Sequence, residues 1–143
     1  MTPTALATEI ETLIAEYAAA WEARDADQIA PFHAEDGIFH LHSAAEPVQG
    51  RDAIRETFAG LLAMFPDLTF VEQELISGEW GWVVRWRMSG TAAQPYPVGE
   101  KVAEPGSHFE IDALDMITVA DGKLTAKHTY LDWQDALNQL GLS

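Results

Sequence analysis

The chain has 143 residues, 48% of them hydrophobic, which is enough for one domain with its own apolar core. Twenty-three acidic residues against eight basic ones give a formal net charge of −15. Such a surface repels phosphate backbones and anionic lipid, so the composition argues against nucleic-acid and membrane partners.

The chain has no cysteine, which excludes disulfides and thiolate chemistry. No stretch approaches the roughly 18–20 uninterrupted apolar residues that a membrane-spanning helix needs. The first residues lack the basic and apolar regions of a secretory signal. We therefore expect a cytoplasmic protein.

Helical periodicity is evident near the start of the chain. A first helix is predicted over residues 4–24, with Thr2 as its cap and Pro3 at its first position. Asp25 then begins a short second helix, which Pro31 keeps brief because proline donates no backbone hydrogen bond. The apolar stripe of the first helix comprises Leu6, Ile10, Leu13, Ile14, Tyr17 and Trp21.

A short strand is predicted next, over residues 38–42, and is followed by a third helix over residues 51–65 that Pro66 ends. The apolar face of this helix comprises Ile54, Phe58, Leu61, Leu62 and Phe65.

From residue 68 the apolar period changes from 3.6 to 2, which is typical of strands. Asp121-Gly122 predicts a tight hairpin between the last two strands, and Asp132 caps a closing helix that ends at Gly141. Residues 92–107 form a loop or loose hairpin that we expect at a pocket mouth. The order predicts an α+β domain with helices on one face of a bent, antiparallel sheet. The predicted strands are residues 68–76, 80–90, 108–120 and 123–131.

Alternation indicates which strand face points inward. In residues 80–90 we expect an inner face of Trp82, Val84, Trp86 and Met88 and an outer face of Val83, Arg85 and Arg87. In residues 108–120 the inner set is Phe109, Ile111, Ala113, Asp115, Ile117 and Val119. Asp115 is the one carboxyl on this otherwise apolar wall.

Asp115 has two interpretations. In the functional one its carboxyl faces a cavity, where desolvation raises the pKa and allows proton donation or acceptance. In the structural one it accepts hydrogen bonds from buried groups and only holds the fold together.

Short motifs along essentially the whole chain support a family resemblance. They are Tyr17 and Trp21, Asp25 and Asp36, Gly50-Arg51-Asp52-Ala53-Ile54, Phe65-Pro66-Asp67, Ser89-Gly90-Thr91, Asp121-Gly122-Lys123, Tyr130-Leu131-Asp132 and Gln139-Leu140-Gly141. This pattern resembles the SnoaL-like polyketide cyclases of the nuclear transport factor 2-like superfamily, which includes ketosteroid isomerases. The resemblance implies a single cystatin-like domain over residues 1–143, a cone-shaped barrel in which a curved mixed or antiparallel sheet wraps around N-terminal helices.

The resemblance also implies roles for individual residues. Tyr17 falls at the oxyanion-hole tyrosine of the isomerases, and Asp115 at the protonated aspartic acid that shares this role. The cyclases carry a histidine at the position of Asp115. The isomerase base corresponds to Leu41 and the cyclase acid/base aspartate to Thr129, and neither side chain can take a proton near neutral pH. The implied pair of acids therefore lacks its usual base.

The candidates to replace that base are His40, His42 and His128, because imidazole titrates near neutrality. We name His128 as the candidate catalytic base beside Tyr17 and Asp115, although strand register favours an outward side chain unless a bulge reverses it. His40 and His42 share one strand face and could hold a metal only with a third ligand. No such partner is evident in the sequence, so no metal site is expected.

The function expected from the resemblance is cofactor-free proton transfer on a hydrophobic carbonyl compound of polyketide or steroid type. Tyr17 and Asp115 would donate hydrogen bonds to the carbonyl oxygen as it becomes an enolate. Alternatives are a non-catalytic binder of a hydrophobic small molecule and an accessory domain, with a homodimer expected through the outer sheet face around Arg85 and Arg87. The expected substrate wall comprises Trp21, Phe39, Leu41, Phe58, Trp82, Val84, Trp86, Phe109, Ala113, Thr129 and Leu131.

Overall fold

The computed structural model describes residues 4–143. Within this range the helices are α1 (Ala5–Glu22), α2 (Ala26–Ile29), a 3-10 turn (Ala30–Phe32), α3 (Arg51–Met64) and α4 (Trp133–Gln139). The strands are β1 (His33–His42), β2 (Val48–Gln49), β3 (Thr69–Gly78), β4 (Gly81–Thr91), β5 (Tyr96–Val98), β6 (Lys101–Ala103), β7 (His108–Ala120) and β8 (Lys123–Leu131). None of the helices over residues 4–143 is long and apolar enough to cross a membrane.

Side-chain caps fix the ends of several helices. The predicted cap residues Thr2 and Pro3 lie outside the described residues, and the observed N-cap of α1 is Thr4, whose hydroxyl accepts a hydrogen bond from the Ala7 amide at 3.0 Å. Asp25 caps α2 and Asp132 caps α4, as expected.

Six strands form one mixed sheet in the order β2-β1-β8-β7-β4-β3. The pairs β3–β4, β4–β7 and β7–β8 are antiparallel, and β1 pairs with β8 in parallel. The chain therefore forms the expected α+β fold with a curved mixed sheet, although the antiparallel order predicted from periodicity alone missed the parallel pair.

Alternation correctly predicted the inner face of the two long central strands. Trp82, Val84 and Met88 of β4 are buried, and so are the inward residues of β7 from Phe109 to Ile117. The helices supply the other side of the core. The prediction was wrong for Leu6, which is 46% exposed at the start of α1.

The connection predicted as a loop or loose hairpin has that form, but the start of the first strand differs from the prediction. Residues 92–107 contain a small hairpin of β5 and β6. At the start of β1, the strand reaches back to His33, with a register irregularity between His33 and Ile38 that brings the His33 side chain into the core. The turn at Asp121-Gly122 has positive φ at both residues, as a two-residue hairpin requires.

Candidate functional site

A hollow of about 460 Å³ lies between α1 and the inner face of the sheet. This volume is typical of small-molecule sites. Exposed residues such as Glu22 of α1 and Glu72 of β3 form its rim, and most of its wall is aliphatic or aromatic. Three polar side chains reach it from the core: Tyr17, Asp115 and Lys127.

A second, smaller hollow of about 60 Å³ extends toward α3 and α4. The two hollows share four of their lining residues: Trp21, Phe70, Asp115 and Lys127. The two polar members of this set therefore lie where the hollows meet.

Lys127 is a buried cation, only 6% exposed, that projects inward from β8. Its Nζ donates a hydrogen bond to the Tyr17 hydroxyl at 3.2 Å and lies 4.0 Å from Asp115 Oδ2. The ammonium also lies 4.5 Å from the ring centroid of Trp21 and 5.4 Å from that of Phe58, where aromatic faces stabilise positive charge.

Asp115 accepts hydrogen bonds through both carboxyl oxygens. Thr129 Oγ1 donates to Oδ1 at 2.6 Å, and Trp86 Nε1 donates to Oδ2 at 2.9 Å. Together with the nearby Lys127 ammonium, these contacts are those of a carboxylate. Asp115 thus acts as an acceptor here, whereas the resemblance implied a protonated donor.

Tyr17 connects this pair to a buried histidine. The Tyr17 hydroxyl lies 2.8 Å from His33 Nε2, and the His33 side chain is fully buried. Burial, followed by the charges of Lys127 and Arg51, lowers the pKa of His33 to about 3, so the imidazole is neutral. Since Lys127 donates to the phenol oxygen, the phenol hydrogen is directed to Nε2.

Burial affects the other two groups in opposite ways. It raises the pKa of the Tyr17 phenol, which therefore stays protonated. For Lys127 burial alone lowers the pKa, but the oxygens of Tyr17 and Asp115 outweigh it and raise the pKa above its usual value. At neutral pH the site thus holds an ammonium, a carboxylate, a neutral phenol and a neutral imidazole.

Comparison with known proteins decides the family. The model of the SnoaL-like domain matches residues 14–127, which is most of the chain. The chain belongs to the SnoaL-like domain family.

Solved structures agree on the fold. A candidate SnoaL-like polyketide cyclase from Jannaschia sp. CCS1 is 19% identical, with a TM-score of 0.84 over 100% of this chain and 99% of that one. IdmH, a candidate polyketide cyclase from Streptomyces antibioticus, is 26% identical, with a TM-score of 0.73 over 92% and 98%. A protein with a ketosteroid isomerase-like fold from Catenulispora acidiphila is 17% identical, with a TM-score of 0.75 over 92% and 93%.

The expected substrate wall of this SnoaL-like domain is divided between the two hollows. Ala113 is buried but lines neither of them. The larger hollow is lined by Trp21, Trp82, Val84 and Trp86, and the smaller one by Trp21, Phe39, Leu41, Phe58, Phe109, Thr129 and Leu131.

The candidate histidines lie elsewhere. His128 is half-exposed on the outer face of β8, together with His40 and His42 of β1, and lines neither hollow. The structure therefore does not bring His128 together with Tyr17 and Asp115.

Sequence reasoning missed two residues of the site, Lys127 and His33. Lys127 precedes Thr129 by two positions, so alternation along the strand places both side chains on the same face. Since Thr129 was expected to point inward, the sequence already indicated an inward Lys127. His33 lies before the predicted strand, and the irregular register of β1 that turns it inward has no sequence signature.

Proposed function

We propose that this SnoaL-like domain is a cofactor-free enzyme of cyclase or isomerase type that moves a proton on a hydrophobic carbonyl compound. The observation that carries the proposal is a buried ammonium and a buried carboxylate side by side where the two hollows meet. A substrate in the larger hollow would lie against both charges. One charge can stabilise a developing oxyanion while the other accepts a proton.

Lys127 is the group that would donate to the carbonyl oxygen, because the Tyr17 hydroxyl already directs its hydrogen to His33. The ammonium has three hydrogens, of which one is directed to the Tyr17 hydroxyl. When the carbonyl becomes an enolate, a buried cation already in place stabilises the new negative charge more than the neutral substrate. Removing one such donor typically lowers a rate about 10²–10³-fold.

Asp115 would be the proton acceptor. The resemblance places the cyclase aspartate at Thr129, and in the sheet Thr129 and Asp115 are direct cross-strand partners whose side chains meet at 2.6 Å. The carboxylate is thus supplied from β7 instead of β8. It would take a proton from the carbon beside the carbonyl, and the electrons of that C–H bond would form the enolate.

The hydrogen bonds to Asp115 also restrict the substrate. Carboxylates are weak bases in general, and both carboxyl oxygens of Asp115 already accept hydrogen bonds, from Thr129 and Trp86. Asp115 can therefore remove only an acidic proton, such as that of a carbon between two carbonyl groups. Aromatic walls at Trp21, Trp82 and Trp86 favour a flat, apolar compound of this 1,3-dicarbonyl class.

Deuterium exchange tests the proposal directly. Aromatic 1,3-dicarbonyl compounds are incubated with the protein in D2O, and loss of the proton between the carbonyls is followed by NMR. The wild type should accelerate exchange above buffer, and Asp115→Asn should lower the acceleration at least about 100-fold. Asp112→Asn, on the exposed face of the same strand, is the matched control and should keep it. Equal exchange with Asp115→Asn and wild type would refute the role of Asp115.

A binding protein without catalysis is the second candidate. It is favoured by the hydrogen bonds within the fold that already occupy the Tyr17 hydroxyl and both carboxyl oxygens of Asp115. In that case the same compounds would raise the melting temperature by mass action while exchange stayed at the buffer rate.

A further inference from the structure

Three histidines form a cluster on the outer face of the sheet, on the opposite side from the hollows. His40 of β1 and His128 of β8 are direct partners in the parallel pair, and His42 follows two residues after His40 on the same face. One ring nitrogen from each residue lies within 4.8 Å of those of the other two, and all three side chains are half-exposed. The sequence supplied two of these residues, and the parallel pairing supplies the third.

A hydrogen bond within the cluster requires an unprotonated ring nitrogen, and an unprotonated nitrogen is what binds a metal. His42 Nε2 and His128 Nδ1 lie 2.9 Å apart, so one of them is an unprotonated acceptor. The His40 and His42 rings lie close together, with centroids 3.6 Å apart and an angle of 36° between their planes.

The ligands are also held in place before any ion arrives. His40, His42 and His128 all project from paired strands of the main sheet, and the His42 ring stacks on Tyr130 with centroids 4.1 Å apart and a 9° angle between planes. Sites built on strands hold their ligands more accurately than sites on loops.

Nitrogen chemistry and spacing indicate the kind of ion. Three imidazoles suit zinc and its late transition-metal neighbours, whereas Mg²⁺ and Ca²⁺ prefer oxygen ligands. Zinc–nitrogen bonds of about 2.0–2.1 Å place tetrahedral ligand atoms about 3.3 Å apart. This is slightly more than the 2.9 Å between His42 Nε2 and His128 Nδ1 and less than the 4.8 Å within which all three ligand atoms lie. Small side-chain rotations would close the site.

We propose that His40, His42 and His128 bind one zinc-like divalent ion per chain, with the remaining coordination position open to solvent or an added ligand. The site is separate from the proposed proton-transfer site, because its histidines project from the other face of the sheet. The net charge of −15 favours the approach of a cation.

Isothermal titration with Zn²⁺ tests this site on protein first stripped with a chelator. The wild type should bind one ion per chain, and Mg²⁺ should produce no binding. Because losing even an outer-shell partner of a metal ligand costs about 10–100-fold in affinity, His128→Ala and His42→Ala should each weaken Zn²⁺ binding at least 100-fold. His108→Ala removes a histidine of β7 outside the cluster and should leave binding unchanged.

Two further measurements keep the test independent of folding. Circular dichroism establishes that each variant is folded, and Co²⁺ in place of Zn²⁺ should give visible absorption in the wild type and in His108→Ala but not in His128→Ala. The proposal is overturned if the folded cluster variants bind Zn²⁺ as the wild type does, or if the wild type shows no binding. Half an ion per chain would also overturn it, because the ligands would then come from two copies.

Discussion

Lys127 Nζ lies 4.0 Å from Asp115 Oδ2, and both side chains are less than a tenth exposed. Bringing two charges out of water costs free energy that their attraction repays only when the geometry and the surrounding hydrogen bonds are good. Here Thr129, Trp86 and Tyr17 provide those hydrogen bonds. Apolar residues of similar volume could fill the same space, so stability alone does not account for the pair, and this supports a chemical role.

The first prediction concerns the stability of this pair. Lys127→Met and Asp115→Asn should each lower the free energy of unfolding by about 3–5 kcal/mol. Each substitution leaves the other side chain of the pair as a buried charge without its opposite partner. The double variant Lys127→Met/Asp115→Asn should lose less than the sum of the single losses. Urea denaturation at neutral pH measures all three.

Exposed residues on the same strands are the controls for these single and double variants. Asp112→Asn and Lys123→Met should each cost less than about 1 kcal/mol, as exposed charges do. Additive losses at Lys127 and Asp115 would show that the two buried groups do not interact energetically.

Local pattern explains why much of the fold could be predicted. Alternation identifies Trp82, Val84 and the inner residues of β7 because each strand buries one face, and Asp115 was found as the polar exception to that pattern. Lys127 was missed because a lysine is normally assigned to solvent. What keeps it inside is a set of partners on α1 and β7, and those contacts are long-range.

The histidine cluster illustrates the other limit of sequence reasoning. His40 and His42 are spaced for one strand face, but their third partner is 86 residues beyond His42. It becomes adjacent only through the parallel pairing of β1 with β8. Periodicity along one strand carries no information about which distant strand lies beside it.

The second prediction concerns pH. His33 has a folded pKa of about 3 against about 6.5 when unfolded, so below pH 6.5 the unfolded chain binds a proton that the folded chain does not. The stabilisation from neutral His33 is therefore complete above about pH 6.5 and falls as the pH falls toward 3, with a slope approaching 1.4 kcal/mol per pH unit. Urea denaturation between about pH 5 and 6.5, above most carboxylate titration, measures the slope.

A variant identifies the origin of that slope. His33→Phe should reduce the slope, because the phenylalanine cannot bind a proton in either state. His108→Phe, which replaces an exposed histidine, should keep most of it. An unchanged slope in His33→Phe would contradict the assignment of the pH effect to His33.

The third prediction compares two glycines. Gly81 begins β4 with φ of +140°, and a Cβ there would collide with the carbonyl oxygen of Ile117 across the sheet. Gly81→Ala should therefore cost at least about 3 kcal/mol of unfolding free energy. Gly60 lies on the exposed face of α3 with open space around it, so Gly60→Ala should stabilise the protein by up to about 1 kcal/mol. Similar losses from both substitutions would contradict this account.

The fourth prediction moves the carboxylate across the strand pair. Asp115 and Thr129 are direct partners in β7 and β8, so Thr129→Asp in the Asp115→Asn background returns a carboxylate close to its original place beside Lys127. The double variant should regain at least about tenfold of the deuterium exchange lost in Asp115→Asn, because proton acceptance depends on position and charge. Thr129→Asn in the same background matches the size without the charge and should regain nothing. Recovery with both residues would attribute the effect to packing, whereas recovery with aspartate alone would show that either strand can supply the proton acceptor.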